Sequence, residues 1–352
     1  MNDQRVGGQG QHFIKHEKRH QITCQGGAAF LIGVAWLKAL VGSVAFTEGG
    51  MLAPYVDAYA TQLRFIFLLM IAGLGVKAAL VPLHGWLPKA MVAPAPVSAL
   101  LHAVAVVKAG AFGIVRVVYD VYGIEFSAKL GLLQPLAAVA AFTIVYGSIR
   151  ALFQDELKKR LAFSTVSQVS YIALGAAIVG PVATIGGVVH LVHQGLMKIT
   201  LFFCAGNFAE TLGVHHISQM NGVGRRMPLT MAAFTLGSLG MIGVPPLAGF
   251  ISKWYLGTGG LAAGKPWVIA ILVTSSLLNA AYFLPIIYRG WFLEPAESGS
   301  NGPSSGNLET HWMLLVPPLI TALLALLAGL LANAPFSPLE WARLIAAREY
   351  HP

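Results

Sequence analysis

A stripe of polar side chains on an otherwise apolar helix is the first candidate for chemistry in this 352-residue sequence. His190, Gln194 and Lys198 follow one another at intervals of four residues, which on an α-helix places them within an arc of about 80°. His193 points to a neighbouring face. Imidazole and amine groups both take up and release protons, so the stripe indicates a proton relay, with a helix–helix hydrogen bond as the alternative. Metal binding is not indicated, because no third ligand follows the two histidines at a suitable spacing.

Lysines interrupt other apolar runs as well. Lys77 and Lys108 have apolar sequence on both sides, as Lys198 does, and Lys253 follows a proline-rich interruption. A lysine near the bilayer centre costs about 2.5–3.5 kcal/mol on insertion scales, so we expect these residues to face a bundle interior or water. The alternative is snorkelling, which lifts a charged group near a helix end to the interface and which we expect for Arg116. Burial favours the neutral amine, so an array of such lysines can relay protons.

The composition is that of a membrane protein. Hydrophobic residues make up 56% of the chain and charged residues only 11%, against about 25% charged in soluble domains. This excludes a water-soluble enzyme, a disordered protein and a disulfide scaffold. The net charge of +9 lies in short patches between apolar runs, which is typical of a polytopic membrane protein and not of a nucleic-acid-binding protein.

Cofactor chemistry is not expected within this chain. The two cysteines, Cys24 and Cys204, form no Fe–S, haem or zinc motif. No Gly-x-Gly-x-x-Gly follows a predicted strand. A quinone pocket stays open as a possibility, because apolar helices can build one without a motif.

The elements that must position these residues are nine apolar runs of about membrane-spanning length. They cover residues 28–46, 62–82, 96–118, 130–149, 161–180, 183–206, 229–256, 266–290 and 312–333. The predicted fold is therefore an all-α, polytopic membrane helix bundle. It divides into a polar basic N-terminal segment over 1–27, a membrane domain over 28–333 and a short tail over 334–352. The N-terminal segment has no apolar core of the signal-peptide type.

The distribution of basic residues predicts the orientation. With the N-terminus in the cytoplasm, cytoplasmic loops hold twelve of the 23 Lys and Arg residues and the opposite side holds five. The positive-inside rule then places the N-terminus inside, and nine spans place the C-terminus outside. We expect a multi-pass protein of the cell inner membrane.

Carboxylates are absent from the centres of the predicted spans. All fourteen Asp and Glu residues fall in loops, in tails or at the edge of a span. The counter-ion of the membrane lysines is therefore expected to be water, backbone, or a carboxylate from another subunit or segment.

Two spans contain helix breakers next to a lysine. Pro82, His84 and Gly85 follow Lys77, and the run Gly243-Val-Pro-Pro-Leu-Ala-Gly249 precedes Lys253. Proline removes a helical hydrogen bond and frees backbone polar groups. Broken helices are tolerated at membrane depth where they line a water-filled cavity, and paired breaks indicate the transport site of an inverted repeat. A kink for packing is the alternative.

These motifs resemble a known family, the antiporter-like proton-pumping subunits shared by respiratory complex I, Mrp-type cation/proton antiporters and membrane-bound hydrogenases. The resemblance covers roughly residues 28–333. It is closest to the Mrp D-type subunit at 225–228 and 249–254. The runs that carry it are Gly75–Pro88, Lys108–Gly110, Leu157–Gln168, Gln194–Gly206 and Gly243–Lys253.

The resemblance implies two inverted five-helix repeats within fourteen helices, and a hydrated Lys/His chain along the membrane midplane. By position, Lys77 matches the lysine of the first broken helix, Lys108 the linking lysine, Lys198 with His190 the central relay, and Lys253 the terminal lysine. His84, His193 and Gln194 are secondary candidates. The nine spans would be the sixth to fourteenth helices. A fragment, a wrong start or a split gene would account for the other five, one of which carries the family's paired glutamate.

The sequence therefore predicts a proton/cation-translocating subunit of a multisubunit complex, with Na⁺/H⁺ antiport as the first interpretation. Its partners would be other membrane subunits, protons, Na⁺ and lipid, with no nucleic acid. The alternative is a proton-pumping subunit of an NADH-quinone oxidoreductase or a membrane-bound hydrogenase. A quinone-binding redox component and an inactive remnant or assembly subunit also stay open.

Overall fold

The computed structural model describes residues 25–92, 95–99, 105–294 and 309–350. Most of the predicted N-terminal segment 1–27 lies outside these residues. The longer helices are α1 (Gln25–Val41), α2 (Val56–Lys77), α3 (Val106–Arg116), α4 (Leu133–Leu152), α5 (Leu157–Ala177), α6 (Pro181–Leu212), α7 (Pro228–Ile242), α8 (Ala248–Ala262), α9 (Trp267–Phe292), α10 (Trp312–Leu330) and α11 (Pro338–Tyr350). The described residues contain no β-strand.

Where they are described, the predicted spans correspond to helical structure, with outer ends that differ by up to six residues. The span 229–256 is divided into α7 and α8, and α3 continues as a π-helical turn over Val117–Tyr122. By length and composition, five helices of the described residues are able to cross a membrane: Asp57–Lys77, Leu133–Leu152, Pro181–Leu212, Trp267–Phe292 and Trp312–Leu330. The chain is thus an all-α membrane helix bundle.

Helix α5 shows why only five described helices meet the length and apolarity criteria for a membrane span, whereas the sequence pattern predicts nine spans. It has 21 residues, as many as a membrane span needs, but it carries Lys158, Lys159 and Arg160 and several hydroxyl side chains. Nearly all of its residues are buried against other helices. A helix surrounded by protein does not have to be apolar on every face.

Helix α6 is the centre of the bundle and packs against α5, α7, α8, α10 and α11. Pro181 begins it, at a position where the missing N–H costs nothing. Gly213 ends it in the left-handed conformation at φ +65°. Its 32 residues carry the predicted polar stripe through the bundle interior.

Both predicted helix interruptions are present. Helix α2 ends at Lys77, and two short 3₁₀ helices follow over Leu83–Trp86 and Pro88–Val92. Helix α7 ends at Ile242 and is capped by Gly243, whose φ of +92° favours glycine, and the next helix, α8, begins at Ala248.

The segment predicted as a short tail forms helix α11, which packs against α6. Leu339, Ala342 and Ala346 face that contact and are buried. At its end, the Tyr350 hydroxyl accepts a hydrogen bond from the Gly180 N–H at 2.8 Å and lies 3.1 Å from the Thr184 hydroxyl. These bonds tie α11 to the start of α6.

Candidate functional site

Lys198 lies at the centre of the bundle with no exposed surface. Its ammonium donates hydrogen bonds to the Ser164 hydroxyl at 2.7 Å and to the Leu161 carbonyl at 3.1 Å, both on α5. It also lies 5.9 Å from the centre of the Phe283 ring. A buried ammonium with these neutral partners is held in place without a counter-charge.

A chain of hydrogen bonds leads from Lys198 to the broken helix. The Tyr282 hydroxyl lies 2.9 Å from the Ser164 hydroxyl and is hydrogen-bonded to Asn279 Oδ1. The Asn279 amide donates to the Met241 carbonyl at 3.0 Å. Tyr282 has one hydroxyl hydrogen, so one consistent arrangement has Lys198 donating to Ser164, Ser164 to Tyr282 and Tyr282 to Asn279. Each hydroxyl then has one acceptor.

The break between α7 and α8 supplies the acceptors for Lys253. Its ammonium donates to the Met241 carbonyl at 3.0 Å and to the Ile242 carbonyl at 2.8 Å. In a continuous helix these carbonyls would accept from residues 245 and 246, but both are prolines and have no N–H. Lys253 therefore takes the place of two missing backbone donors. Its third bond goes to the Ser276 hydroxyl of α9 at 2.9 Å.

His190 joins α6 to α8 beside Lys253. Its Nδ1 lies 2.8 Å from the hydroxyl of Ser252, the residue before Lys253. The Tyr171 ring lies near both groups, 5.1 Å from the His190 ring and 5.8 Å from the Lys253 ammonium. The predicted stripe of α6 and the predicted second break therefore meet at one place.

Lys108 reaches α6 from α3. Its ammonium donates to the Leu191 carbonyl at 2.5 Å. A Cβ atom at Gly195 would overlap that ammonium, so the glycine leaves the space in which it lies. The predicted linking lysine is thus in contact with the central helix, one residue from His190.

The secondary candidates His193 and Gln194 are fully buried on α6, as Gln168 is on α5. Neither the Gln168 amide nor the Gln194 amide has a hydrogen-bond partner among the described residues. Buried amides in proteins usually have protein or ordered water as partners. These two groups mark a polar region of the bundle beside Lys198 and His190.

Lys77 and His84 lie apart from this network. The Lys77 side chain is exposed on the surface of the described residues, although its Cβ adjoins Gly110 of α3. His84 is half-buried, with its ring edge-on to Tyr146 at 5.1 Å between ring centres. The structure brings Lys108, His190, Lys198 and Lys253 to α6 and its neighbours, but not Lys77.

Carboxylates of the described residues do not pair with the three lysines of the network. Among the described residues, no Asp or Glu lies within ion-pair distance of Lys108, Lys198 or Lys253. Arg116, which we expected to snorkel, is partly exposed and forms an ion pair with the buried Asp120 at 2.9 Å. Asp120 lies at a span edge, as predicted, and its partner is four residues away on the same helix.

Sequence reasoning did not single out the polar residues of α9 or the role of Ser164. Asn279 and Tyr282 are three residues apart and Ser276 three before, which places them on one face of α9. The spacing of these three residues could have been recognised in the sequence. Ser164 was included only as a member of the motif Leu157–Gln168.

Comparisons with known proteins identify the family to which this chain belongs. Residues 20–279 match the family described as NADH:quinone oxidoreductase/Mrp antiporter, TM. NADH-quinone oxidoreductase subunit N of Desulforudis audaxviator is 39% identical over 332 residues, covering 91% of this chain and 65% of that protein. The D-type subunit of the Na(+)/H(+) antiporter of Bacillus subtilis is 30% identical over 313 residues, covering 86% of this chain and 60% of that protein. The chain thus spans 60–65% of these relatives' length.

A solved structure supports the same relationship. The Mrp complex from Dietzia sp. DQ12-45-1b contains a chain that superposes with a TM-score of 0.82 at 25% identity, covering 96% of this chain and 68% of that one. Subunit N has the higher identity of the two relatives above, so sequence identity does not favour the D-type subunit over the complex I subunit. The chain belongs to the family of NADH:quinone oxidoreductase/Mrp antiporter transmembrane subunits.

Proposed function

We propose that this chain is an ion-translocating subunit of a multisubunit membrane complex, that it serves monovalent cation (Na⁺)/proton antiport, and that it moves protons along a Lys/His relay. One observation carries the proposal. Lys108, Lys198 and Lys253 are bound by carbonyl and hydroxyl oxygens, and no carboxylate of the described residues lies within ion-pair distance of them. An ammonium without a fixed counter-charge releases its proton more easily than an ion-paired one.

The relay residues in this proposal are Lys77, Lys108, His190, Lys198 and Lys253. Transfer from a lysine breaks one N–H bond, leaves the neutral amine and forms a new bond to the next acceptor. The partnerless amides of Gln168 and Gln194 favour ordered water between these groups, because buried amides without protein partners are usually hydrated. Lys77 would join the relay through groups that cover its exposed surface.

Hydrogen bonds through Ser164, Tyr282, Asn279 and the Met241 carbonyl link the two inner lysines. The neutral amide of Asn279 does not pass a proton on, so this chain positions the two lysines and the proton itself travels through ordered water. The Asn279 amide holds the end of this chain against the Met241 carbonyl. Its role is to fix the geometry between Lys198 and Lys253.

The test is Lys198→Ala in the complex that contains this chain. Removing the central ammonium should abolish or strongly reduce coupled ion flux in vesicles, while native gels show an assembled complex. Lys129→Ala is the matched control, because Lys129 is an exposed lysine paired with Asp57 at 3.1 Å. Arg116→Ala is unsuitable as a control because Arg116 pairs with the buried Asp120. Flux from Lys198→Ala equal to wild type would overturn the relay.

The second candidate function is proton pumping within an NADH-quinone oxidoreductase. The 39% identity to a protein named subunit N of that enzyme favours it. In that assembly this chain would carry protons by the same relay, and redox chemistry would reside in other subunits. Ion flux that requires an electron donor would separate this function from antiport.

We also propose that the chain lies in the cell inner membrane with its N-terminus in the cytoplasm. The excess of Lys and Arg on one side of the predicted spans supports this orientation. Protease or thiol-reagent access to tags at the two ends, in intact cells and inverted vesicles, measures it. Access to an N-terminal tag from outside intact cells would contradict the assignment.

A further inference from the structure

A cavity of about 220 Å³ lies beside α3, α6 and α11 and holds charges that the proposed relay does not use. It has room for several water molecules. Its titratable and charged side chains come from the loop before α2, from α3 with its π-helical turn, and from α11. They are Glu48, Arg116, Tyr119, Asp120, Arg348 and Glu349. We call it the Asp120–Glu349 cavity.

One lining residue of this cavity, Leu191, is hydrogen-bonded to Lys108. Its carbonyl accepts the hydrogen bond from the Lys108 ammonium at 2.5 Å. On α3, Phe112 and Arg116 also line the cavity, four and eight residues after Lys108. Residues at this spacing share one helix face. Lys108 therefore lies on the helix face that leads into the cavity.

The outer end of the cavity reaches the protein surface. Glu48 and Arg348 are exposed, and Glu349 is partly exposed. The Oε2 atom of Glu349 accepts no hydrogen bond from the described residues. The Asp120 carboxylate, in contrast, forms an ion pair with Arg116 at 2.9 Å.

Burial, together with the neighbouring carboxylates, favours the protonated form of Glu349. Burial raises the pKa of the Glu349 carboxyl, and the nearby Asp120 and Glu48 carboxylates raise it further, while Arg116 opposes them. A carboxyl with a raised pKa holds a proton closer to neutral pH. This makes Glu349 a suitable group to exchange protons with water.

We propose that the Asp120–Glu349 cavity is an aqueous access route between the surface at α11 and Lys108. Glu349 is the carboxylate that exchanges protons in this route, and the Asp120–Arg116 ion pair forms a fixed part of its lining. The inference rests on the proposed function. A proton that leaves Lys108 breaks an N–H bond and restores the amine lone pair. Water carries it to Glu349, where it forms an O–H bond before release to bulk, and uptake reverses these steps.

Water access is tested without measuring transport. Val188 lines the cavity, whereas the adjacent Val189 is packed against α11 and is 1% exposed. In the complex with Cys24 and Cys204 replaced by serine, Val188→Cys should react with a positively charged methanethiosulfonate reagent about tenfold faster than Val189→Cys, because the reagent needs a hydrated, ionising thiol. Equal rates, or no reaction at either position, would overturn the route and leave the relay proposal intact.

The functional test compares two glutamates of the same helix. Glu349→Gln should lower proton-coupled flux about tenfold by removing a positioned proton-exchanging group, and Glu349→Asp should restore part of it. Glu340→Gln is the control, because Glu340 pairs with Arg343 outside the cavity. Wild-type flux in Glu349→Gln would overturn the access route if Lys198→Ala still blocks transport. Failure of Lys198→Ala would instead overturn the proposed function.

Discussion

Tyr282 shows how one neutral side chain can organise two buried lysines. Its hydroxyl bonds to Ser164, which accepts from Lys198, and to Asn279, which shares the Met241 carbonyl with Lys253. Neutral partners keep both ammonium groups in place without the strong ion pair that would hold their protons. At the scale of single residues, the site is a set of polar contacts with little fixed negative charge.

Replacing Tyr282 by phenylalanine removes only this hydroxyl. Ser164 and Asn279 then each lose a partner at a cost of about 1–3 kcal/mol per buried group, and we expect coupled flux to fall several-fold while the complex assembles. Tyr288→Phe is the control, since Tyr288 lies on the same helix with 56% of its surface exposed. Flux in vesicles measures both variants. An equal decrease in the two would show that the hydroxyl of Tyr282 has no special role.

At the scale of elements, the broken helix α7–α8 positions Lys253 through close backbone packing. The prolines at 245 and 246 leave the Met241 and Ile242 carbonyls without backbone donors, and Gly243 closes α7. Gly249, at the start of α8, lies so close to the Gly240 carbonyl that a Cβ atom there would overlap it. The two half-helices therefore depend on a glycine at their contact.

Gly249→Ala should push the half-helices apart and destabilise the protein. Because the overlapped atom belongs to the backbone, we expect a loss of about 1–3 kcal/mol, typical of overpacking. Gly257→Ala is the control in the same helix. The nearest side-chain atom to its new Cβ is 3.6 Å away, and alanine favours a helix over glycine by roughly 0.5–1 kcal/mol. Thermal stability of the purified complex should fall for the first variant only.

At the scale of the whole molecule, the polar network is enclosed by helices with apolar outer faces. Leu314, Ile320 and Leu323 of α10 and Leu277 of α9 are exposed, as expected of surfaces that face lipid or other subunits. The interior holds Lys198, His190 and the buried amides instead. A proton that follows the proposed relay would therefore not meet lipid.

Transport by the assembled complex should separate the two candidate functions. For antiport, a Na⁺ gradient alone should drive proton movement in vesicles, and NADH should not be required. Fluorescent pH indicators measure this, with Lys198→Ala vesicles as the control. Proton movement that appears only with an electron donor, and is insensitive to Na⁺, would contradict antiport and favour the oxidoreductase function.

The sequence by itself determined the fold class and the breaks, and it identified candidate residues for the interior. An ionisable group in an apolar run is costly unless the bundle interior accepts it, so Lys198, His190 and Lys253 were recognisable from their neighbours alone. Both interruptions were predicted because proline lacks the backbone N–H that a helix needs, an effect that depends only on the local sequence. Family resemblance then assigned an order to the lysines.

Only the tertiary structure decided which polar groups meet. Hydroxyl and amide side chains are common on helices, and Ser164 and Tyr282 are 118 residues apart, so no local pattern pairs them. The Asp120–Glu349 cavity was not predictable from local sequence either, because its lining comes from helices that are far apart in the chain and meet only in the folded bundle. Lys77, identical in type to Lys198, remains exposed. Burial depends on what packs around a residue, and sequence spacing alone does not determine that.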